Sequence, residues 1–116
     1  MEIEMIPENF TVCKVEDFSE VNFDHKFIFL VKTDEENSLV CPTKIAPKNV
    51  ILREDNWRAF RVKGVLDFSL VGVLAKIATV LANEDISIYA VSTYNTDYIF
   101  VKDEVFEKAV GLVKMI

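Results

Sequence analysis

Histidine, cysteine and glycine are scarce in this chain of 116 residues, and each scarcity removes a class of chemistry. The one histidine is His25, and the two cysteines, Cys13 and Cys41, stand alone inside apolar runs with no Cys-x-x-Cys spacing. Such a set cannot supply the ligands of a zinc site. Buried, reduced thiols in a reducing compartment are the expected state of both cysteines, and His25 reads as a solvated loop residue. Of the three glycines, none belongs to a Gly-rich phosphate loop following a strand. Basic residues are also outnumbered: 13 Lys+Arg against 19 Asp+Glu leave a formal charge of −6. That balance gives no basic face for a phosphate backbone, so no nucleic-acid partner is expected. No apolar run approaches the ~20 residues of a membrane span. The opening Met-Glu-Ile-Glu-Met-Ile-Pro-Glu has neither the basic start nor the apolar stretch of a signal segment. A cytoplasmic protein without membrane contact is the expectation.

What the chain does have is apolar content, 51% of residues with nine phenylalanines, enough for a core without disulfides or metals. The second half has the clearer pattern. Arg58–Val62 is a strand pattern ending at Gly64. Leu70, Val73, Leu74, Ile77, Val80 and Leu81 then recur at helical spacing, with Ser69 as N-cap and Asn83-Glu84-Asp85 as the stop. Ile86–Thr93 is β-branched and aromatic, Tyr94–Asp97 a turn, and Tyr98–Lys102 another strand. Asp103 is placed to cap a last helix that presents Val105, Phe106, Ala109, Val110, Val113 and Ile116 on one side. The order βαββα implies an α+β fold of ferredoxin-like type, an antiparallel sheet covered by helices on one face.

The first half is less regular. Phe10–Val15, Phe27–Thr33 and Leu39–Pro42 are strands by pattern. Asn49–Leu52 is either a fourth strand or a lead into the second half, and Glu16–His25 is too polar and short for a packed helix. Sliding this half forward by 60 positions lays Phe27–Thr33 over Ser87–Thr93, Asp34–Ser38 over Tyr94–Tyr98, Leu39–Cys41 over Ile99–Val101, and Ile45 over Val105. The economical organisation is two related modules. Residues 1–55 form a degenerate one without its leading helix, and 56–116 form a complete one.

The segments Gly64-Val-Leu-Asp-Phe-Ser-Leu-Val-Gly-Val-Leu-Ala75 and Ile86–Lys102 resemble the tandem ACT-domain proteins related to the CASTOR arginine sensors. Thr33-Asp-Glu-Glu-Asn-Ser-Leu-Val-Cys-Pro42 resembles the turn and strand of that family's leading module. The resemblance implies two tandem ACT modules with an amino-acid effector site at their junction. It places Gly64, Asp67, Phe68 and Ser69 on the loop that receives the ligand, and Thr93, Tyr94, Thr96 and Asp97 on a turn that lines it. Ser38 and Leu39 fall on the strand that meets the ligand from the first module. Thr96 replaces an aromatic and Asp67 a glutamate of the arginine sensors, which implies a cleft of different depth.

These residue types suit that role on their own chemistry. A glycine lets backbone approach a ligand, a helix N-terminus favours a carboxylate, and Asp67 or Asp97 can accept a charge-assisted bond from an ammonium. No enzyme, cofactor or metal is expected: nothing pairs a nucleophile with a base, and neither aspartate has an evident reason for a raised pKa. The functional expectation is a regulatory or sensor module that binds a small molecule, an amino acid, at the junction of its two modules. The competing expectation is a protein-interaction module with a vestigial pocket, a second copy of the chain being its candidate partner in a homodimer.

Overall fold

A computed structural model describes residues 1–63 and 72–116 of the chain. Two long strands, β1 (Ile3–Val15) and β4 (Val50–Val62), run through two compact units. One unit comprises Met1–Pro7 with Arg58–Ile116, and the other is Glu8–Trp57. A division at 55/56 leaves the first seven residues with the first half, whereas in the fold they cluster with the second. The polar run Arg53-Glu-Asp-Asn56 breaks the apolar pattern but not the strand; Asn56 takes φ 69°, a left-handed value that asparagine tolerates better than most residues.

In the unit built from both ends of the chain, the strand order is β1-β4-β6-β5, with β5 at Tyr89–Ser92 and β6 at Asp97–Lys102. The start of β1 therefore supplies the closing strand of a βαββαβ unit, which the second half alone lacks. Lys63 N donates to Glu2 O at 3.0 Å and marks that pairing. Helix α1 spans Val73–Ala82, with Gly72 at its N-cap at φ 87°; Ser69, expected there, lies outside the described residues. The helix closes where Asp85 turns left-handed (φ 58°) and Ile86 N reaches back to Leu81 O at 2.9 Å, a Schellman-type ending. Helix α2 spans Phe106–Lys114 after a 3-10 turn at Asp103–Val105. Asp103 does not cap it: Val105 holds the N-cap without a side-chain bond, and Asp103 pairs instead with Arg58 at 3.5 Å. The guanidinium of Arg58 also lies 4.4 Å from the Phe106 ring centroid. Phe60, Val62, Ile99 and Val101 face Ile77, Leu81 and the apolar stripe of α2, while Ile116 falls outside that core with 42% exposure.

The Glu8–Trp57 unit has the strand order β2-β3-β1-β4, with β2 at Phe29–Lys32 and β3 at Asn37–Pro42. Its described elements include no α-helix, so both helices of the unit are replaced, where the sequence pattern suggested the loss of the leading one. Cys13, Val15, Leu39 and Cys41 are buried beneath Phe18, Val21, Ile28, Ile45 and Ala46. The covering segment is held by polar side chains. Asp17 Oδ1 accepts from Ser19 N (3.0 Å), Ser19 Oγ (2.5 Å) and Asn49 Nδ2 (3.0 Å), while Asn37 Nδ2 donates to Glu16 O at 2.9 Å. The hydrogen bonds from Ser19, more than that from Asn49, hold the Asp17 carboxyl below the usual carboxylate range. His25 is not a free loop residue: its ring accepts from Phe27 N at 3.2 Å and lies 3.6 Å from Glu8.

The two units repeat one another element by element. An advance of 60 positions lays β2 on β5, β3 on β6 and the 3-10 turn Thr43–Ile45 on Asp103–Val105, and the register Phe29↔Val40 becomes Tyr89↔Phe100. An advance of 47 lays β1, residues 3–15, on β4, residues 50–62. The cores then correspond by position: Cys13 with Phe60, Val15 with Val62, Leu39 with Ile99, Cys41 with Val101, Ile28 with Ile88 and Ile45 with Val105. The cysteines are thus small core residues. Cys41 donates a hydrogen bond to Cys13, and this bond, followed by burial, keeps Cys41 a thiol far above ordinary pH.

Candidate functional site

The turn after β5 is built by its threonines. Thr93 N and Thr93 Oγ1 each donate to Thr96 O at 2.8 Å, and Thr96 N donates back to Thr93 Oγ1 at 3.3 Å. Thr33 makes the matching bond to Glu36, N to O at 3.0 Å, so the turn chemistry belongs to the repeat. Only the second copy is anchored further, by Thr96 Oγ1 donating to Val62 O at 2.9 Å among the described residues. Thr96 is 8% exposed, which lets this bond form largely out of water.

A cavity of about 310 Å³ opens beside this turn, lined by Glu4, Arg61, Val62, Thr93, Asn95, Thr96 and Tyr98. All seven belong to the unit formed by Met1–Pro7 and Arg58–Ile116. Strand alternation explains the polar wall. Ile3, Phe60, Val62 and Ile99 pack into the helix-covered core, so their neighbours Glu4, Arg61 and Tyr98 point to the opposite face on three adjacent strands. Arg61 Nη1 donates to Tyr98 Oη at 2.9 Å and Nη2 to Glu4 Oε2 at 3.2 Å. The guanidinium carbon lies 5.8 Å from the Tyr98 ring centroid. These partners, Tyr98 first and then Glu4, push the Arg61 pKa above its ordinary value, so the cavity wall carries a permanent positive charge beside a carboxylate.

Of the residues expected from sequence, Thr93 and Thr96 meet at this cavity. Tyr94 projects outward with 81% exposure, and Asp97 accepts from Ser92 Oγ at 2.7 Å as the first residue of β6. Ser38 lies in β3 opposite Lys14 and Val31, while Leu39 is 1% exposed and packs in the core of the other unit, which gives it a structural place. Gly64, Asp67, Phe68 and Ser69 lie outside the described residues. Glu4, Arg61, Asn95 and Tyr98 were not foreseen. The signal available for Arg61 was a charge inside a strand on the face opposite Phe60; for Glu4 there was none, because its strand joins the distant half of the chain. No group of three His, Cys, Asp or Glu side chains is placed to hold a metal among the described residues.

Residues 52–114 match the family model of the ACT domain. The chain belongs to the ACT-domain family. Solved structures share its fold. Protein Atu0741 from Agrobacterium tumefaciens superposes with TM-score 0.81 at 23% identity, covering 97% of this chain and 85% of that one. VC0802 from Vibrio cholerae gives 0.75 at 21% identity, covering 96% and 85%. The regulatory subunit of aspartate kinase from Thermus thermophilus gives 0.69 at 10% identity, covering 99% and 96%. No curated protein matches the sequence. The ACT match spans β4 from Leu52 through α2, and the strand at Ile3–Pro7 that completes the sheet of this ACT domain lies outside it.

Proposed function

We propose that this ACT-domain protein is a non-catalytic regulatory module that binds a small molecule, an amino acid, in the cavity beside the Thr93–Thr96 turn. The observation that carries this reading is the cavity itself, where a charged arginine, a carboxylate and a hydroxyl-built turn converge on one face of an ACT sheet. Its volume of about 310 Å³ sits at the small end of the ~300–1,000 Å³ typical of small-molecule sites. The element-by-element repeat supports a tandem ACT arrangement of the kind found around the CASTOR arginine sensors, with the first module reduced to strands and turns. The buried free thiols suit a cytoplasmic, reducing setting.

A thermal-shift screen of the twenty amino acids at millimolar concentration tests the reading, since a ligand that binds only the folded state raises the melting temperature. At least one amino acid should raise it by several degrees; a flat response across the whole set overturns the proposal. A second reading, a module that pairs with its own copy, is favoured by the apolar edge strand β2, where Leu30 and Val31 are 37% and 46% exposed. It requires a ligand-independent dimer in light scattering.

A further inference from the structure

We infer that the Glu4–Arg61 pair is the recognition element for the zwitterionic head of the ligand, with Arg61 taking a carboxylate and Glu4 an ammonium group. This inference rests on the ligand-binding reading above and assigns its chemistry.

The fold does not need this pair. At the corresponding places of the other unit, reached by the 47- and 60-residue advances, stand Ile51 for Glu4, Lys14 for Arg61, Ser38 for Tyr98 and Glu36 for Thr96. That unit builds the same strands and the same turn without an arginine–glutamate pair across them. The cluster is therefore an addition to the fold, placed on the wall of a cavity.

The pair also has donors and acceptors to spare. A guanidinium carries five N–H groups in a planar fork. Arg61 uses one on Tyr98 and one on Glu4, and the remaining three have no partner among the described residues. Glu4 uses Oε2 for Arg61, and Oε1 has no hydrogen bond among the described residues. Tyr98 and Glu4 fix the plane of the guanidinium before a ligand arrives, which lowers the ordering cost of a two-pronged carboxylate contact. A carboxylate and an ammonium on one α-carbon form a dipole of the same span as this pair. Laid antiparallel beside it, each charge meets its opposite, while a lone anion would face Glu4 and a lone cation Arg61. Opposite charges lining one small cavity thus select a zwitterion over an ion of either sign. Asn95 and Thr93 remain on the wall to meet the ligand's side chain.

Titration calorimetry on the full chain tests this with the amino acid giving the largest thermal shift, its α-carboxamide and its deaminated acid. With the unmodified protein, both analogues should bind at least tenfold more weakly than the amino acid. Arg61→Gln should weaken the amino acid tenfold or more while leaving the carboxamide nearly unaffected. Glu4→Gln should weaken the amino acid but not the deaminated acid, and Arg61→Lys should recover only part of the loss. Equal affinity of the unmodified protein for all three compounds overturns the assignment without any variant, and leaves the ligand-binding reading intact. An amino acid whose affinity is untouched by either neutralising substitution does the same. If no amino acid binds the unmodified protein, both the assignment and the reading beneath it fall.

Discussion

The two units build the same strands under different covers. In the unit closed by Met1–Pro7, four apolar strand positions are Phe60, Val62, Ile99 and Val101, and they lie against α1 and α2. In the Glu8–Trp57 unit the same positions are Cys13, Val15, Leu39 and Cys41, beneath a segment held by Asp17, Asn37 and Asn49. At two of these four positions the side chain under the helices is the larger, Phe60 against Cys13 and Val101 against Cys41. A helix presents a continuous apolar stripe that rewards large partners, whereas a short polar-stapled segment encloses less volume. The difference extends to the polar face, where one unit carries Glu4, Arg61 and Tyr98 and the other Ile51, Lys14 and Ser38. One strand frame can thus be kept while its roof and the residues on its polar face change separately.

The comparison breaks most readily at its core. Phe60→Ala should cost roughly 3–5 kcal/mol in urea unfolding, because a ring is removed from beneath two helices. Cys13→Ala, at the matching place, should cost only about 1 kcal/mol. Equal losses would mean that the helices and the polar-stapled segment load these matching positions alike.

The next test concerns the pair that links the first strand of each unit to the turn after its hairpin. Thr11 is fully buried, donates to Asp55 Oδ1 at 2.5 Å and lies 2.9 Å from Thr43 Oγ1; the matching pair is Arg58 and Asp103. Thr11→Val should cost about 1.5–3 kcal/mol, the range for a hydrogen bond to a charged group, since the half-exposed Asp55 carboxylate loses its Thr11 donor. Arg58→Ala should cost about 1 kcal/mol, the sum of a partly exposed ion pair and a cation–π contact. A reversed order in chemical denaturation would show that the half-exposed link, not the buried one, matters more.

A smaller effect separates the thiols from solvent. Cys13 and Cys41 are 4% and 1% exposed, so both should resist alkylation in native buffer and react once urea unfolds the chain. Fast labelling of the native protein would show that the segment over these residues opens readily. The subtlest test is the titration of Asp17. Its folded pKa is depressed, so its stabilising bonds are complete above the unfolded value and are lost as pH falls through the folded one. NMR should find its carboxyl titrating below an ordinary aspartate, with the Ser19 amide moving in step, and Ser19→Ala should raise it. A normal value would remove Asp17 as the staple of the covering segment.

Much of the strand frame was legible from pattern. The 60-residue spacing of the hairpins reappears as coincident bounds for β2 with β5 and β3 with β6, because apolar alternation and turn residues act locally. The N-terminal strand was not legible as the partner of β4, since pairing across some fifty residues leaves no local signature. Asp103 was misplaced for a similar reason: an aspartate before a helix suits a cap, but here the charge of Arg58 on a distant strand wins it. Leu39 sits one residue from Ser38, and only the alternation of β3, seen in place, sends it into the core.

Composition and local pattern by themselves determined the class of this protein: an α+β chain of ferredoxin-like order, its hairpins, its threonine-built turns, and cysteines destined for apolar surroundings. Tertiary structure alone decided that Ile3–Pro7 closes the far unit and that Glu4, Arg61 and Tyr98 stand side by side. The physical reason is range. Turns and periodicity are set by neighbours along the chain, whereas a charged row across three strands exists only after pairing has brought residues 4, 61 and 98 together.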